Sequence, residues 1–160
     1  MRLGILADTH GQVLRTRAAI ERMETAGAEA FVHCGDVGGP EVLAEFAGRR
    51  LWFVWGNTDA PDPSWRAEIE TLGLPWPGGP LNLLLDEKRV AVFHGHERGF
   101  RRAVESNEND YVLCGHSHMR TDRRVGRTRL INPGALHRAG LHTVALLDLR
   151  TDELLYIQVE

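Results

Sequence analysis

Val112-Leu-Cys-Gly-His-Ser-His118 decides how the rest of the chain reads. Tyr111 to Cys114 form an apolar run long enough for one buried strand. Gly115 ends the run, and His116 and His118 follow with one residue between them. In extended backbone, residues two apart share a face, so both imidazoles can address one point. Two histidines converging at the end of a buried strand suit a metal ion. Taken alone, the tetrapeptide is better explained as a pair of surface histidines. Recurrence separates the two readings: an apolar strand followed by a ligand-type side chain appears four more times.

Working outward, Leu3 to Ala7 predicts a strand buried on both faces, ended by Asp8-Thr-His-Gly11. Gln12 to Ala26 has helical spacing, with Val13, Leu14, Ala18, Ile20 and Met23 on much of one face and Gly27 as the stop. Ala30 to His33 predicts a second strand, followed by Cys34-Gly-Asp36. Pro40 fits the first turn of a helix running through Ala47. Leu51 to Trp55 predicts a third strand, followed by Gly56-Asn-Thr-Asp59. This βαβαβ rhythm predicts parallel strands with right-handed crossovers.

Beyond it, Ser64 reads as the N-cap of a helix over Trp65 to Leu72, and Gly73 to Pro80 as a loop. Leu81–Leu85 and Arg89–Phe93 predict a hairpin that leads into His94-Gly-His96. Glu97 to Asn107 predicts a polar helix. Arg120–Arg124 with Arg127–Ile131, and His142–Leu149 with Leu154–Val159, predict two more hairpins. The first half is therefore βαβ and the second mostly antiparallel. That switch predicts an α/β (α+β) fold of two sheets packed face to face, with helices outside.

The 160 residues predict one domain spanning 1–160, with 42% hydrophobic residues to fill its core. A net charge of −3 gives no basic field for long nucleic acid. Cys34 and Cys114 form no disulfide framework and read as small buried residues at strand ends. The first strand begins at Arg2, and no apolar run approaches the ~20 residues of a spanning helix. The expectation is a cytoplasmic protein without a membrane partner.

The side chains just past five predicted strands are Asp8, His10, Asp36, Asn57, His94, His116 and His118. In sheets with parallel crossovers that edge binds ligands. Glycines 11, 35, 56, 95 and 115 allow the tight turns needed there. Seven donors are too many for one tetrahedral zinc and suit two ions. A His, Asp and Asn set without thiolate favours Mn, Fe, Ni, Co or Zn over Ca.

In that order, Asp8-x-His10, Gly35-Asp36, Gly56-Asn57, His94-Gly95 and Gly115-His-x-His118 resemble the motifs of calcineurin-like metallophosphoesterases. The compact length is similar to the superfamily's small bacterial and archaeal phosphodiesterases. The resemblance runs from Asp8 to Asn132-Pro-Gly134, which looks like the family's Asn-Pro-Gly-Ser element. It implies a four-layer αββα sandwich. It also implies hydrolysis of a small or nucleotide-type phosphodiester by a hydroxide bridging two divalent ions, Mn first, with Ni, Fe, Co or Zn as alternatives. Asp8, His10 and His118 would hold one ion, Asn57, His94 and His116 the other, and Asp36 both. Asp36, Asn57, His94 and His116 would also be the catalytic residues. Family members are often homo-oligomers.

Two positions depart from the family. The residue after Asn57, often a leaving-group-protonating His, is Thr58, and the Ser of Asn-Pro-Gly-Ser is Ala135. Thr58 cannot act as an acid near neutral pH, which argues against a phosphomonoesterase. A non-enzymatic scaffold is the other alternative, since a retromer subunit shares this fold; scaffold relatives tend to lose donors, and all seven stand here. His33 reads as a packed strand-end residue, and His137 and His142 as surface. His96 reads either as a substrate contact or as an exposed neighbour. Arg120, Arg123, Arg124, Arg127 and Arg129 read as the solvated face of a hairpin.

Overall fold

The apolar runs are strands, and they sort into two five-stranded sheets. The structure is a computed structural model of residues 1–160. In chain order its elements are β1 (Arg2–Leu6), α1 (Val13–Thr25), β2 (Ala30–His33), α2 (Pro40–Ala44), β3 (Leu51–Phe53), α3 (Pro63–Thr71) and β4 (Leu81–Leu85). There follow β5 (Lys88–Val92), α4 (Phe100–Glu105), β6 (Tyr111–Leu113), β7 (Thr121–Val125), β8 (Thr128–Asn132), β9 (Thr143–Asp148) and β10 (Glu153–Gln158). The first sheet runs β10-β9-β1-β2-β3 and the second β4-β5-β6-β8-β7.

The predicted hairpins are present and most pairings of the second half are antiparallel, but the second sheet also holds parallel pairing that the hairpins did not announce. β5, β6 and β8 pair in parallel, and only the edge strands β4 and β7 run against them. The first sheet repeats the arrangement: β1, β2 and β3 are parallel, and the β9–β10 hairpin adds antiparallel to β1. Each sheet thus has a parallel trio at its heart. Hairpin turns are local and legible in sequence, whereas the neighbour a hairpin strand takes on its far side is decided by long-range packing.

Alternation along the strands builds the layers. Leu3, Ile5, Val32, Ala145 and Leu147 of the first sheet meet Val90, Val92, Leu113 and Ile131 of the second in one buried cluster. On the first sheet's other face, Leu6, Phe31 and Phe53 pack under Ile20 and Met23 of α1, Leu43 of α2 and Ile69 of α3. On the second sheet's outer face, Ala91, Val112 and Leu130 pack under Val104 of α4. The order is helices, sheet, sheet, helix, which is the expected αββα sandwich. No helix is long and apolar enough to cross a membrane.

Helix ends differ from expectation for chemical reasons. Asp62, not Ser64, caps α3: its Oδ1 accepts the Ser64 N–H at 2.7 Å, and Pro63 occupies the first turn. Residue 97 begins no helix because the Glu97 carboxylate accepts the backbone N–H groups of His94 and Gly95, each at 2.8 Å. α4 accordingly starts only at Phe100. α2 stops at Ala44, short of the expected Ala47.

Candidate metal centre

The C-terminal ends of both parallel trios meet at one rim, which gathers the seven donor side chains. Asp8, His10, Asp36 and His118 place ligand atoms within 4.8 Å of one another. His10 Nε2 lies 3.5 Å from Asp36 Oδ2, and His118 Nε2 lies 3.4 Å from Asp8 Oδ1. On the other side of Asp36, His94 Nε2 is 3.4 Å from the same Oδ2 and 3.0 Å from Asn57 Oδ1. The His116 ring stands 5.0 Å from that of His94, centroid to centroid. One Asp36 oxygen therefore sits between histidines of both groups.

The backbone is strained to achieve this. Asp8 (φ 53°), His10 (φ 44°), Asp36 (φ 53°), His116 (φ 68°) and His118 (φ 57°) all lie in the left-handed region. Each such residue costs about 1–2 kcal/mol, tolerated best by Asp, Asn and His. Strain of this kind persists where the surroundings over-determine the conformation, typically at functional sites.

Three side chains outside the donor set do the over-determining. Asp59 accepts the N–H groups of Gly56 (2.8 Å), Val37 (3.1 Å) and Gly38 (2.9 Å), stapling the Asn57 loop to the Asp36 loop. Asn132, buried, donates to the Gly115 carbonyl at 2.7 Å and to Ser117 Oγ at 3.1 Å, while accepting from Gly134 N. It holds the loop bearing His116 and His118, so Asn132-Pro-Gly134 acts as a brace. Glu97 grips the His94 loop as described above. Asp59 and Asn132 stood inside recognised motifs; for Glu97 only its spacing of three from His94 was available.

Donor chemistry fits cations. His10 Nε2 is buried and makes no hydrogen bond. His94 Nδ1 bonds the Cys34 carbonyl at 2.8 Å, which turns Nε2 toward Asp36. Burial lowers the His94 pKa, but the bonds to Asp36 and Cys34 outweigh it and the net shift is upward. A proton on Nε2 is then held where a cation would be. Burial would raise Asp36; hydrogen bonds from His94 and Thr58 win and hold its carboxyl below the usual range. Thr58 contributes through its backbone N–H, 2.9 Å from Asp36 Oδ1.

Asp8 is pushed the other way, to about 6, by burial first and by Asp36, against the pull of His118 and His94. A cation must displace that proton. Affinity for a divalent cation held by Asp8 would therefore weaken by about tenfold between pH 7 and pH 5 for this one carboxyl, which binds only when ionised. Calorimetric Kd values at pH 5, 6 and 7 check it, and a pH-independent Kd contradicts the placement.

The remaining histidines divide. His33 is fully buried and held neutral, its pKa lowered to about 3 by burial. Its Nδ1 accepts the Gly35 N–H, so Nε2 carries the proton donated to Thr9 Oγ1 at 2.9 Å. Thr9 in turn donates to the Val37 carbonyl at 2.9 Å. His33 is packed as expected. His137, expected at the surface, is half-buried with its ring 5.3 Å from that of His10. No motif spacing could have brought it there. His96 is exposed, yet its ring is 5.5 Å from that of His94.

The sequence profile of the calcineurin-like phosphoesterase superfamily domain matches residues 1–152. The chain belongs to that superfamily. Among characterised relatives, it is 28% identical over 168 residues to the phosphodiesterase MJ0936 of Methanocaldococcus jannaschii, covering 100% of each. It is 29% identical over 154 residues to the phosphodiesterase YfcE of Escherichia coli K12, covering 85% of this chain and 79% of that one. A solved archaeal phosphodiesterase superposes with a TM-score of 0.88 at 27% identity, covering 99% of both chains. Zinc-complexed Vps29 of Entamoeba histolytica shares the fold at a TM-score of 0.69 and 19% identity, covering 99% of this chain and 91% of that one.

The phosphoesterase rim is flanked by the arginine-rich β7–β8 hairpin. Arg124 pairs with Asp152, Arg127 with Asp110 at 3.0 Å, and Arg129 with Asp122 at 2.8 Å. Arg120 lies over the Tyr156 ring at 5.4 Å. The reading as a solvated hairpin face holds for Arg120, Arg124 and Arg127, but Arg129 is largely buried between Asp122 and Asp152. Arg123 has no such partner.

Proposed function

We propose that this calcineurin-like phosphoesterase is a di-metal phosphodiesterase acting on small or nucleotide-type diesters. The observation that carries the reading is Asp36 Oδ2, placed between His10 Nε2 at 3.5 Å and His94 Nε2 at 3.4 Å. Asp8, His10 and His118 would hold one ion, Asn57, His94 and His116 the other, and Asp36 both. When bound, two such ions supply Lewis acidity to phosphoryl oxygens and bring the pKa of water toward neutrality. The chain's own residues supply geometry: the Cys34 carbonyl aims His94, and the Thr58 N–H, Asp59 and Asn132 hold the loops. Cys34 and Cys114 are both free and buried, in keeping with a reducing, cytoplasmic setting.

Manganese suits the donor set, because imidazole is a poor ligand for Mg²⁺. Chelator-stripped enzyme is expected to turn over at least about tenfold faster with Mn²⁺ than with Mg²⁺. Equal rates would count against the histidines as ligands.

Thr58 selects the substrate class. A positioned acid contributes about 10²–10⁴-fold to a step that expels a poor leaving group, and no imidazole stands at this position. Aryl diesters need that help least, and a diester's single negative charge resists hydroxide less than a monoester dianion does. The test is kcat/KM for bis(4-nitrophenyl) phosphate against 4-nitrophenyl phosphate, with Mn²⁺ at one pH. The diester is expected to be preferred; preference for the monoester overturns the phosphodiesterase reading and leaves the metal centre standing.

A further inference from the structure

A cavity of about 400 Å³ opens beside His116, on the α4 side of the second sheet. Phe100, Cys114 and Leu130 of the cluster under α4 give it apolar walls. Met119, which also lines it, is left 68% exposed, a large apolar side chain with little to cover it. Ser117 and Asn132 line it too, but they are bonded to each other at 3.1 Å. The charged group left over is Arg123, since His116 belongs to the candidate metal site and the Thr121 hydroxyl donates to the Met119 carbonyl at 3.4 Å. Along β7, Thr121 and Arg123 face this cavity, while Asp122 and Arg124 turn to ion pairs with Arg129 and Asp152. In a hairpin whose other arginines all have partners, the unpaired one stands at the cavity next to the donor rim.

We propose that this cavity is the subsite for the non-leaving ester group of the diester, and that it takes a heteroaromatic, nucleoside-type group with Arg123 as its polar contact. The inference rests on the phosphodiesterase reading above. In-line displacement sets the attacking and leaving oxygens on opposite sides of phosphorus, with the other oxygens roughly equatorial. The proposal sets the cavity beside His116 in that equatorial set, so that it takes the ester group that stays on phosphorus. The apolar part of the wall, Phe100, Cys114, Met119 and Leu130, can cover a ring, and the volume falls in the range of small-ligand pockets, ample for a nucleoside and wasted on a methyl group. A guanidinium offers five donors in one plane, matched to the carbonyl oxygens and ring nitrogens of a base. An aliphatic ester would use the walls and leave those donors to water.

The experiment compares two diesters with the same leaving group, thymidine 5′-(4-nitrophenyl phosphate) and methyl 4-nitrophenyl phosphate. The wild-type enzyme with Mn²⁺ is expected to favour the nucleoside diester in kcat/KM by about tenfold or more. Arg123→Ala should cost that diester about tenfold and leave the methyl diester within about twofold. Calorimetric Kd for thymidine 5′-monophosphate should weaken by a similar factor, with that for methyl phosphate unchanged. Arg123 is exposed, so the variant should keep the wild-type melting temperature. Equal losses on both diesters, or no loss on either, overturn the subsite while leaving the phosphodiesterase reading intact. If the wild-type enzyme hydrolyses neither diester, the functional reading falls, and the subsite with it.

Discussion

Asp36→Asn is expected to leave the fold standing and abolish two-metal binding, with kcat falling by about 10²–10³-fold or more. The substitution keeps the shape, and Asn Oδ1 can still accept the Thr58 N–H that now reaches Asp36 at 2.9 Å. It removes the one charge shared between the His10 and His94 sides of the site. A carboxylate can offer a lone pair to each of two cations and offset part of both charges, which an amide cannot. Stability of the metal-free protein should drop only modestly. Asp36 has its pKa held below the unfolded value, so its ionised form stabilises the fold above that value and the contribution is lost as pH falls. At neutral pH the variant forgoes it, at a cost of about 1 kcal/mol, or roughly 2–4 °C in Tm. Elemental analysis, turnover and thermal melts are the measurements. Two metals per chain with near-normal turnover would show that Asp36 does not bridge.

Gly56→Ala attacks the same carboxylate through space instead of charge. A Cβ on Gly56 would press into Asp36 Oδ1 and the Asp36 backbone N, and would lie 2.7 Å from Asp36 Cγ. The carboxylate could swing away only by giving up the Thr58 bond, and the backbone has no such freedom. Gly56 N is also tied to Asp59 at 2.8 Å, so a shift of the loop after β3 would loosen the staple between two loops. Overpacking of this kind costs about 1–3 kcal/mol, which lowers Tm by roughly 2–12 °C at this size. A misplacement near 1 Å at the donor rim is expected to cost about 10²-fold in activity. Gly78→Ala is the control, since nothing lies within 4 Å of its Cβ. A Gly56→Ala enzyme with unchanged Tm and turnover would mean that the loop after β3 does not press against Asp36.

Paired, the two variants separate roles that a single loss of activity would merge. Asp36→Asn should change metal content with little change in Tm. Gly56→Ala should lower Tm even in the metal-free protein. The Asp59 staple predicts the second behaviour, because its three acceptor contacts are all to backbone N–H groups and none is to a donor side chain.

Local chemistry was sufficient for much of this protein. Apolar runs buried on both faces mark β1, β2 and β6, because a strand covered on both sides must be continuously apolar. The residue types after them, with the glycines between, mark out a candidate donor set, because ligand chemistry and tight turns are properties of individual residues. Tertiary structure decided what depends on contacts between distant residues. Parallel pairing of β5, β6 and β8 could not be read from hairpins, since a turn specifies only one neighbour of each strand. His137 reaches His10 only through the fold, and Glu97 leaves α4 for the His94 loop because two N–H groups there need an acceptor. Five arginines close in sequence look alike, yet four find carboxylates or a ring and one faces a cavity. Periodicity reports burial; which charge remains unpaired is settled only when the partners, some on other elements, are in place.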